Sequence, residues 1–333
     1  MPLPDWARAH GLPLFTARIR AVPEDFQVTE ELGWEFSGDG EHDYLWIEKT
    51  GANTEWLARQ LARHAGTPAK DIGYAGLKDR HAVTRQWFSV PRWNAPDWES
   101  LEVDGVVVLD VQRHHKKLRR GAHKANAFQI VLRGENPEAY TEALEERLAL
   151  ISEQGVPNYF GEQRFGRAAS NLRLADEWAT GKRMPRHSRS LAISTVRSFL
   201  FNEYLDARVG DGTWNTIIVG DKANLDGSGS VFDVEEVDDD IVRRCREMDI
   251  HPAGELVGES SVGTKETWLR ALHKARVTPG SRSLRLKVIN PDVAVSNETV
   301  RLSFSLGRGS FATSVLREIA HTTNHHHSPR AVS

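Results

Sequence analysis

Residues 73–88 run Gly-Tyr-Ala-Gly-Leu-Lys-Asp-Arg-His-Ala-Val-Thr-Arg-Gln-Trp-Phe. Gly73 and Gly76 permit a tight backbone path, after which Asp79 stands between Lys78 and Arg80 and a strand-like run follows. Opposite charges close by favour the anionic form of a carboxylate, the form that a nucleophile or a general base needs. Composition alone also allows Asp79 a surface ion pair or a turn, since Asp between basic residues is common on loops. A second stretch carries charge of one sign: residues 113–124 hold six Lys or Arg, three His and no acid. Such a patch marks a phosphate-binding face, with Lys116, Lys117, Arg119, Arg120 and Lys124 among its cations. Asn126 and Phe128 come directly behind it, at the start of an apolar run over 125–132. A basic rim opening onto an aromatic ring suits a nucleic acid better than a small acid.

These side chains need a scaffold. Helix signals appear at 54–65, where Leu57 and Leu61 share a face and Gly66 follows as a stop. A second helix is predicted at about 137–154: Asn136 can cap, Pro137 suits the first turn, Tyr140, Leu144, Leu148 and Ile151 form a stripe, and Gly155 ends it. Strand signals lie around 44–47, 86–90, 106–111 and 128–132. Late in the chain Leu284, Leu286 and Val288 alternate with Arg285 and Lys287. Val300, Leu302, Phe304 and Leu306 alternate with Arg301, Ser303 and Ser305. Alternation predicts an antiparallel sheet with one wet face. The middle differs, with a long helix near 190–208, a glycine cluster at 220–229 and an acidic run, 233–240, that reads as solvated surface. We read an α+β protein in which a domain of 155–280 is inserted into one formed by 1–154 and 281–333. Residues 278–281 would be the return linker.

At 333 residues and 37.4 kDa the chain has room for one large domain or two ordinary ones, each with a proper core. A net charge of -3 excludes a generic polycationic coat, so any contact with RNA or DNA must use a local patch. The lone cysteine, Cys245, excludes an internal disulfide and a thiolate metal site, which points to a reducing, cytoplasmic setting. Residues 1–21 lack a continuous apolar core and no membrane-length apolar run occurs, so a soluble, unexported protein is expected. Residues 307–312, Gly-Arg-Gly-Ser-Phe-Ala, fit the G-x-G-x-x-A pattern of a dinucleotide site. The second strand and the acid about 20 positions on do not follow it, so that reading is set aside. The same helix N-terminus could still hold an RNA phosphate. His325-His326-His327, with His321 nearby, have no acidic or thiol partner in the tail and read as a disordered end rather than a metal site.

Five segments, in order, resemble the TruD family of tRNA pseudouridine synthases. Residues 73–89 carry its Ala-Gly-x-Lys-Asp-x-x-Ala-Val-Thr-x-Gln signature. Residues 20–26, Arg-Ala-Val-Pro-Glu-Asp-Phe, resemble its N-terminal element, and 116–128 its basic segment ending in Asn-Ala-Phe. Residues 155–166, Gly-Val-Pro-Asn-Tyr-Phe-Gly-Glu-Gln-Arg-Phe-Gly, resemble the opening of its inserted domain, and 309–314, Gly-Ser-Phe-Ala-Thr-Ser, close the pattern. The resemblance spans nearly the whole chain, and the combination is specific where each segment alone is weak. It implies an antiparallel-sheet pseudouridine synthase catalytic core, permuted in chain order relative to other synthase families and interrupted by an α/β TRUD domain. It also implies Asp79 as the catalytic carboxylate, Asn126 as a polar contact, and Phe26, Phe128 and Phe311 as aromatic walls. Arg20 stands where the family usually has lysine and would bring the aspartate a planar guanidinium in place of an ammonium. The implied target is uridine 13 in the D arm of tRNA.

That reaction breaks the bond from N1 to C1′, turns the uracil and rejoins it through C5. Nothing is oxidised, so neither cofactor nor metal is expected. The leaving uracil anion needs donors at its carbonyls. The remaining need is an ionised carboxylate near the ribose, as nucleophile or as base at C2′, and both roles stay open. The base must be flipped out, and aromatic rings can replace its stacking at about 1–3 kcal/mol each. Without the resemblance each Phe would be read as core packing. Expected RNA contacts are Lys78, Arg80, His81, Lys116, Lys117, Arg119, Arg120, Lys124 and Arg164, with Lys182, Arg183, Arg186 and Arg189 on the inserted domain. The expected partner is tRNA, bound by a monomer without a membrane. The alternative is a non-catalytic RNA-binding protein or RNA chaperone with the same basic surface. It would have no use for Asp79, an anion that repels its ligand's phosphates.

Overall fold

A computed structural model describes residues 3–258 and 265–324. The chain divides into two compact units, the first drawn from the described residues of Pro13–Leu148, Val288–Ser310 and Ala320–Ser333. It is built on a ten-stranded sheet. Its strands are β1 (Phe15–Ile19), β2 (Phe26–Glu31), β3 (His42–Lys49), β4 (Gly73–Tyr74), β5 (Val83–Pro91), β6 (Val106–His114) and β7 (Ala125–Gly134), joined by Val288–Val295, Thr299–Gly307 and Ala320–Asn324. The main path runs Val288–Val295, Thr299–Gly307, β7, β2, β5, β3, β6. Pairing is antiparallel except where β2 meets β5 and where β1 meets Ala320–Asn324. A parallel pair needs a long crossover, and the chain between β2 and β5, with β3 and helix α1 (Thr54–His64), supplies one.

The expected alternation holds along Thr299–Gly307, where Val300, Leu302, Phe304 and Leu306 are all buried. Helix α1 covers the other half of the sheet, setting Leu57, Ala58 and Leu61 against Leu45, Ile47, Phe88 and Val90. Asn53 caps it by accepting the Trp56 N–H at 2.7 Å, and Arg63 and His64 sit at its negative end. The second predicted helix opens with a 3-10 turn, Pro137–Tyr140, before Thr141–Gln154. Asn136 does not cap it: the residue lies in the left-handed region at φ 47° and its side chain makes no cap bond.

The second unit is drawn from the described residues of Met1–Leu12, Ala149–Lys287 and Phe311–Ile319, so its bounds depart from the expected insertion of 155–280. Residues 3–12 belong to it because Trp6 packs against Tyr159 and meets Phe199 edge-on at 5.5 Å. Residues 311–319 belong to it because Ser314 Oγ donates to the Tyr159 carbonyl at 3.1 Å. Helices Ser170–Ala179, Arg186–Gly210 and Glu266–Lys274 pack around Phe165, Phe199, Phe201 and Trp268. A four-stranded antiparallel sheet runs Val231–Asp233, Lys222–Leu225, Ile250–Leu256, Gly280–Ser283. The expected linker at 278–281 therefore ends inside a strand.

The expected strand through 284–288 is broken as well. Arg285–Leu286 pairs with Val156–Pro157, whereas Val288 pairs with Leu306. Alternation puts Arg285 in water, yet it is buried, because Nε donates to His251 Nδ1 and Nη2 to the carbonyls of Cys245 and Ile250. The acidic run is solvated except at buried Val234, and its Asp238 caps helix Asp239–Arg246. Residues 322–324 extend the strand beside β1, while His325–His327, read as a disordered end, lie outside the described residues. Among the described residues no helix is long and apolar enough to cross a membrane.

Candidate active site

Asp79 lies on the loop between β4 and β5, its side chain one-third exposed. The carboxylate does two things at once. Oδ1 accepts the His81 N–H at 3.0 Å, closing a turn, and Oδ2 lies 3.2 Å from Arg20 Nη2. The loop is tied down on each side: the Lys78 N–H donates to Thr54 Oγ1, Gln86 Nε2 to the Gly76 carbonyl, and the Gly51 N–H to the Arg80 carbonyl. Gly73 is required by close approach, since a Cβ there would fall 2.3 Å from Ser89 Oγ and 2.4 Å from the Leu118 carbonyl. Ser89 Oγ in turn accepts the Leu118 N–H at 2.9 Å, which brings the basic segment onto the signature strand.

Arg20 is buried and holds φ at 56°, an uncommon backbone state for a non-glycine residue. Its Cζ sits 4.1 Å from the centroid of the Phe26 ring. Burial pushes this guanidinium down from its ordinary range, and Asp79 pulls it back. Phe26 meets Phe128 edge-on at 6.3 Å, and Phe128 stacks on Phe304 at 5.5 Å. At 4% and 8% exposure, Phe26 and Phe128 form a packed floor beneath Arg20 rather than open walls. Lys49 reaches the loop from below: its sealed ammonium donates to the carbonyls of Ala52 at 2.7 Å and Asp79 at 3.3 Å. Asn126 Nδ2 is 3.3 Å from His123 Nε2. Asn126 Oδ1 and His123 Nδ1 are buried without a hydrogen-bond partner among the described residues. Burial, with Lys78 nearby, pushes His123 down toward the neutral imidazole.

The family model of tRNA pseudouridine synthase D (TruD) matches residues 9–178 and 171–319. This chain belongs to that family. A tRNA pseudouridine synthase D of Methylococcus capsulatus is 44% identical over 334 residues, covering 95% of this chain and 94% of that protein. One of Pseudomonas fluorescens is 43% identical over 337 residues, covering 94% and 93%. A crystal structure of a Methanosarcina mazei protein assigned to tRNA pseudouridine synthase D shares the fold, with a TM-score of 0.69 at 20% identity over 96% of this chain and 95% of that one.

Placing the expected TruD site residues on the structure moves several of them. Lys78, expected to face RNA, is instead spent on buried Glu30, Nζ to Oε2 2.8 Å, and is only 5% exposed. Glu30 also accepts the Trp87 N–H. His123 leaves the basic face for the interior. Arg80, His81, Lys116, Arg119 and Lys124 are exposed. Lys117 donates to the Lys70 carbonyl, and Arg120 lies over the Tyr74 ring and bonds its hydroxyl. Phe311 and Arg164 belong to the other unit. There Phe311 precedes helix Ala312–Ile319 and is 38% exposed, and Arg164 is half-buried, donating to Ser194 Oγ at 3.1 Å.

Glu30, Lys49 and His123 escape the sequence reading. A signal existed for two of them. Phe26, Val28 and Glu30 share one face of β2, and Leu45, Ile47 and Lys49 one face of β3, so period two carries each charge into the apolar side.

Proposed function

We propose that this protein isomerises uridine to pseudouridine in tRNA, at uridine 13 of the D arm, with Asp79 as the catalytic carboxylate. The observation that carries the reading is the Asp79–Arg20 pair. A carboxylate left one-third open is held at 3.2 Å by an arginine whose backbone stands in a sparsely populated state, strain of the kind that clusters at functional sites. Family membership supports the same assignment, and the sheet unit is then the catalytic domain with the middle segment as its insertion. In the reaction the N1–C1′ bond breaks and a C5–C1′ bond forms. C5 loses its proton and N1 gains one, so the product is an isomer of the substrate.

Asp79 acts at the ribose, as nucleophile at C1′ or base at C2′, and Arg20 fixes its orientation. Asn126, at the start of β7, is the polar contact for the flipped uracil. The exposed cations of 116–124 hold the tRNA backbone. The protein works as a cytoplasmic monomer. The test is tritium release from tRNA carrying C5-labelled uridine. Wild type is expected to release label and form pseudouridine at position 13, and Asp79→Asn to bind tRNA without turnover. Sustained release by Asp79→Asn rejects the assignment. A chaperone reading predicts no release by either protein.

A further inference from the structure

The second unit buries positive charge without an acid to meet it. Arg164, on the turn Glu162–Phe165, places its Cζ 5.4 Å from the centroid of the Phe160 ring, and Arg282, on strand Gly280–Ser283, places its Cζ 4.2 Å from the same centroid. Neither forms an ion pair with a carboxylate among the described residues. Both residues are of intermediate exposure, neither fully buried nor open. Arg282 is oriented by Asn158, donating from Nη2 to Oδ1 at 2.5 Å and from Nε to the carbonyl at 3.3 Å. Asn158 is itself fixed by its Nδ2 donating to the Ser283 carbonyl. Arg164 spends Nη1 on Ser194 Oγ. Arg282 Nη1 and Arg164 Nε and Nη2 donate to nothing among the described residues. The two cations repel: burial pushes Arg282 down to about 10, and Arg164 pushes it further the same way.

Two oriented guanidinium groups on one ring, with donors to spare and no counter-charge, are what a phosphate monoanion completes, each fork offering charge-assisted N–H bonds. We propose that Arg164 and Arg282 form a binding site for one backbone phosphate of the RNA substrate. The proposal rests on the reading of the protein as a tRNA-modifying enzyme. Phe160 sets the position of the pair, with Phe201 behind Arg282 at 5.7 Å and edge-on to Phe160. It differs from the basic loop of 116–124 in kind, because its cations are held and partly desolvated before the ligand arrives.

The experiment measures tRNA affinity against salt for wild type, Arg164→Gln, Arg282→Gln and the double variant. Because both arginines serve one phosphate, the slope of log affinity on log salt should fall by about 0.9 in the double variant and no further than in the single variants, with affinity about tenfold weaker. Wild-type slope and affinity in the double variant overturn the proposal, and so does a slope change of twice the expected size. Arg282→Lys, which keeps the charge but not the fork, should bind between wild type and Arg282→Gln. If a variant fails to fold, the wild-type protein decides. Inorganic phosphate should raise its unfolding midpoint above that in chloride of equal ionic strength, and equal midpoints overturn the proposal. Asp79→Asn run alongside separates the two failures. Turnover by that variant sinks the enzymatic reading, whereas an inactive Asp79→Asn beside arginine variants with normal binding sinks the phosphate site alone.

Discussion

Lys49 gives the sharpest test of how this fold treats charge. Its ammonium is sealed from solvent, is bonded only to the carbonyls of Ala52 and Asp79, and has no carboxylate partner among the described residues. Burial pushes it from 10.5 down to about 8, while Asp79 pulls it up and Lys78 pushes it down. Between those two values the unfolded chain still holds a proton that the folded chain has released, so stability rises with pH across the window. At about 1.36 kcal/mol per unit the whole window is worth about 3 kcal/mol, and the stretch from about pH 8 to about 9.5 roughly 2 kcal/mol. Lys49→Met should lack this rise. The measurement is urea unfolding followed by the fluorescence of the ten tryptophans at steps from about pH 7 to about 9.5. Higher pH is avoided because burial pushes Tyr44 and Tyr159 up, so the unfolded chain's tyrosines ionise first and stability then falls with pH. Wild-type stability minus that of Lys49→Met should climb by roughly 2 kcal/mol over the measured range. Parallel curves for the two proteins refute the reasoning, since they would mean that Lys49 keeps its ordinary affinity for a proton.

Three further outcomes follow from the site. Glu30→Ala strands the buried Lys78 ammonium and the Trp87 N–H, and should cost about 3–5 kcal/mol in urea unfolding, most of it recovered in Glu30→Ala/Lys78→Met. A single variant within about 1 kcal/mol of wild type would show the pair to be solvated. Gly73→Ala forces Ser89 and the Leu118 backbone apart and should cost about 1–3 kcal/mol and slow tritium release; unchanged unfolding and turnover would contradict the close approach. Replacing Lys116, Arg119 and Lys124 by alanine should flatten the salt dependence of tRNA affinity by about 0.9 for each phosphate left without its cation, while Lys78→Met leaves it alone. An unchanged slope in the triple variant would put the RNA elsewhere.

The legible parts of the sequence were those written in short periods and local motifs. Alternation found Thr299–Gly307, the apolar pair Leu57 and Leu61 found α1, and the signature located the loop that carries Asp79. What stayed hidden depends on contacts between distant residues. Trp6 joins the second unit through Tyr159 and Phe199, and no local pattern near residue 6 announces it. Arg285 looks wet by alternation and is dry because carbonyls from Cys245 and Ile250 converge on it. Lys78 looks exposed beside Asp79 and is claimed by Glu30, 48 positions earlier in the chain. Asp79 makes both contacts that composition alone allowed it, a turn through the His81 N–H and an ion pair with Arg20, and the partner 59 positions earlier is the part no local pattern could supply.

The buried cations separate into structural and ligand-seeking ones by a simple criterion: which donors are already filled, and which can be reached. Arg208 meets Asp221 and Lys78 meets Glu30, so each is balanced within the fold. Arg285 has no acid against it, yet its nitrogens are met by the carbonyls of Asn215, Cys245 and Ile250 and by His251, which is tied to Asp226. Lys49 and the pair of Arg282 and Arg164 have no acid against them among the described residues, and they differ in access. The Lys49 charge is sealed, so it acts on the carbonyls of Ala52 and Asp79 and on the neighbouring charges of Asp79 and Lys78, and salt should screen it little. The Arg282 charge stays open on one side, so an anion from outside can meet it and salt should compete. Varying ionic strength at fixed pH therefore distinguishes the two: the effect of Lys49→Met on turnover should hold constant, whereas the effect of Arg282→Gln on tRNA binding should shrink as salt rises. If both effects respond equally to salt, access is not what separates these residues and the criterion fails.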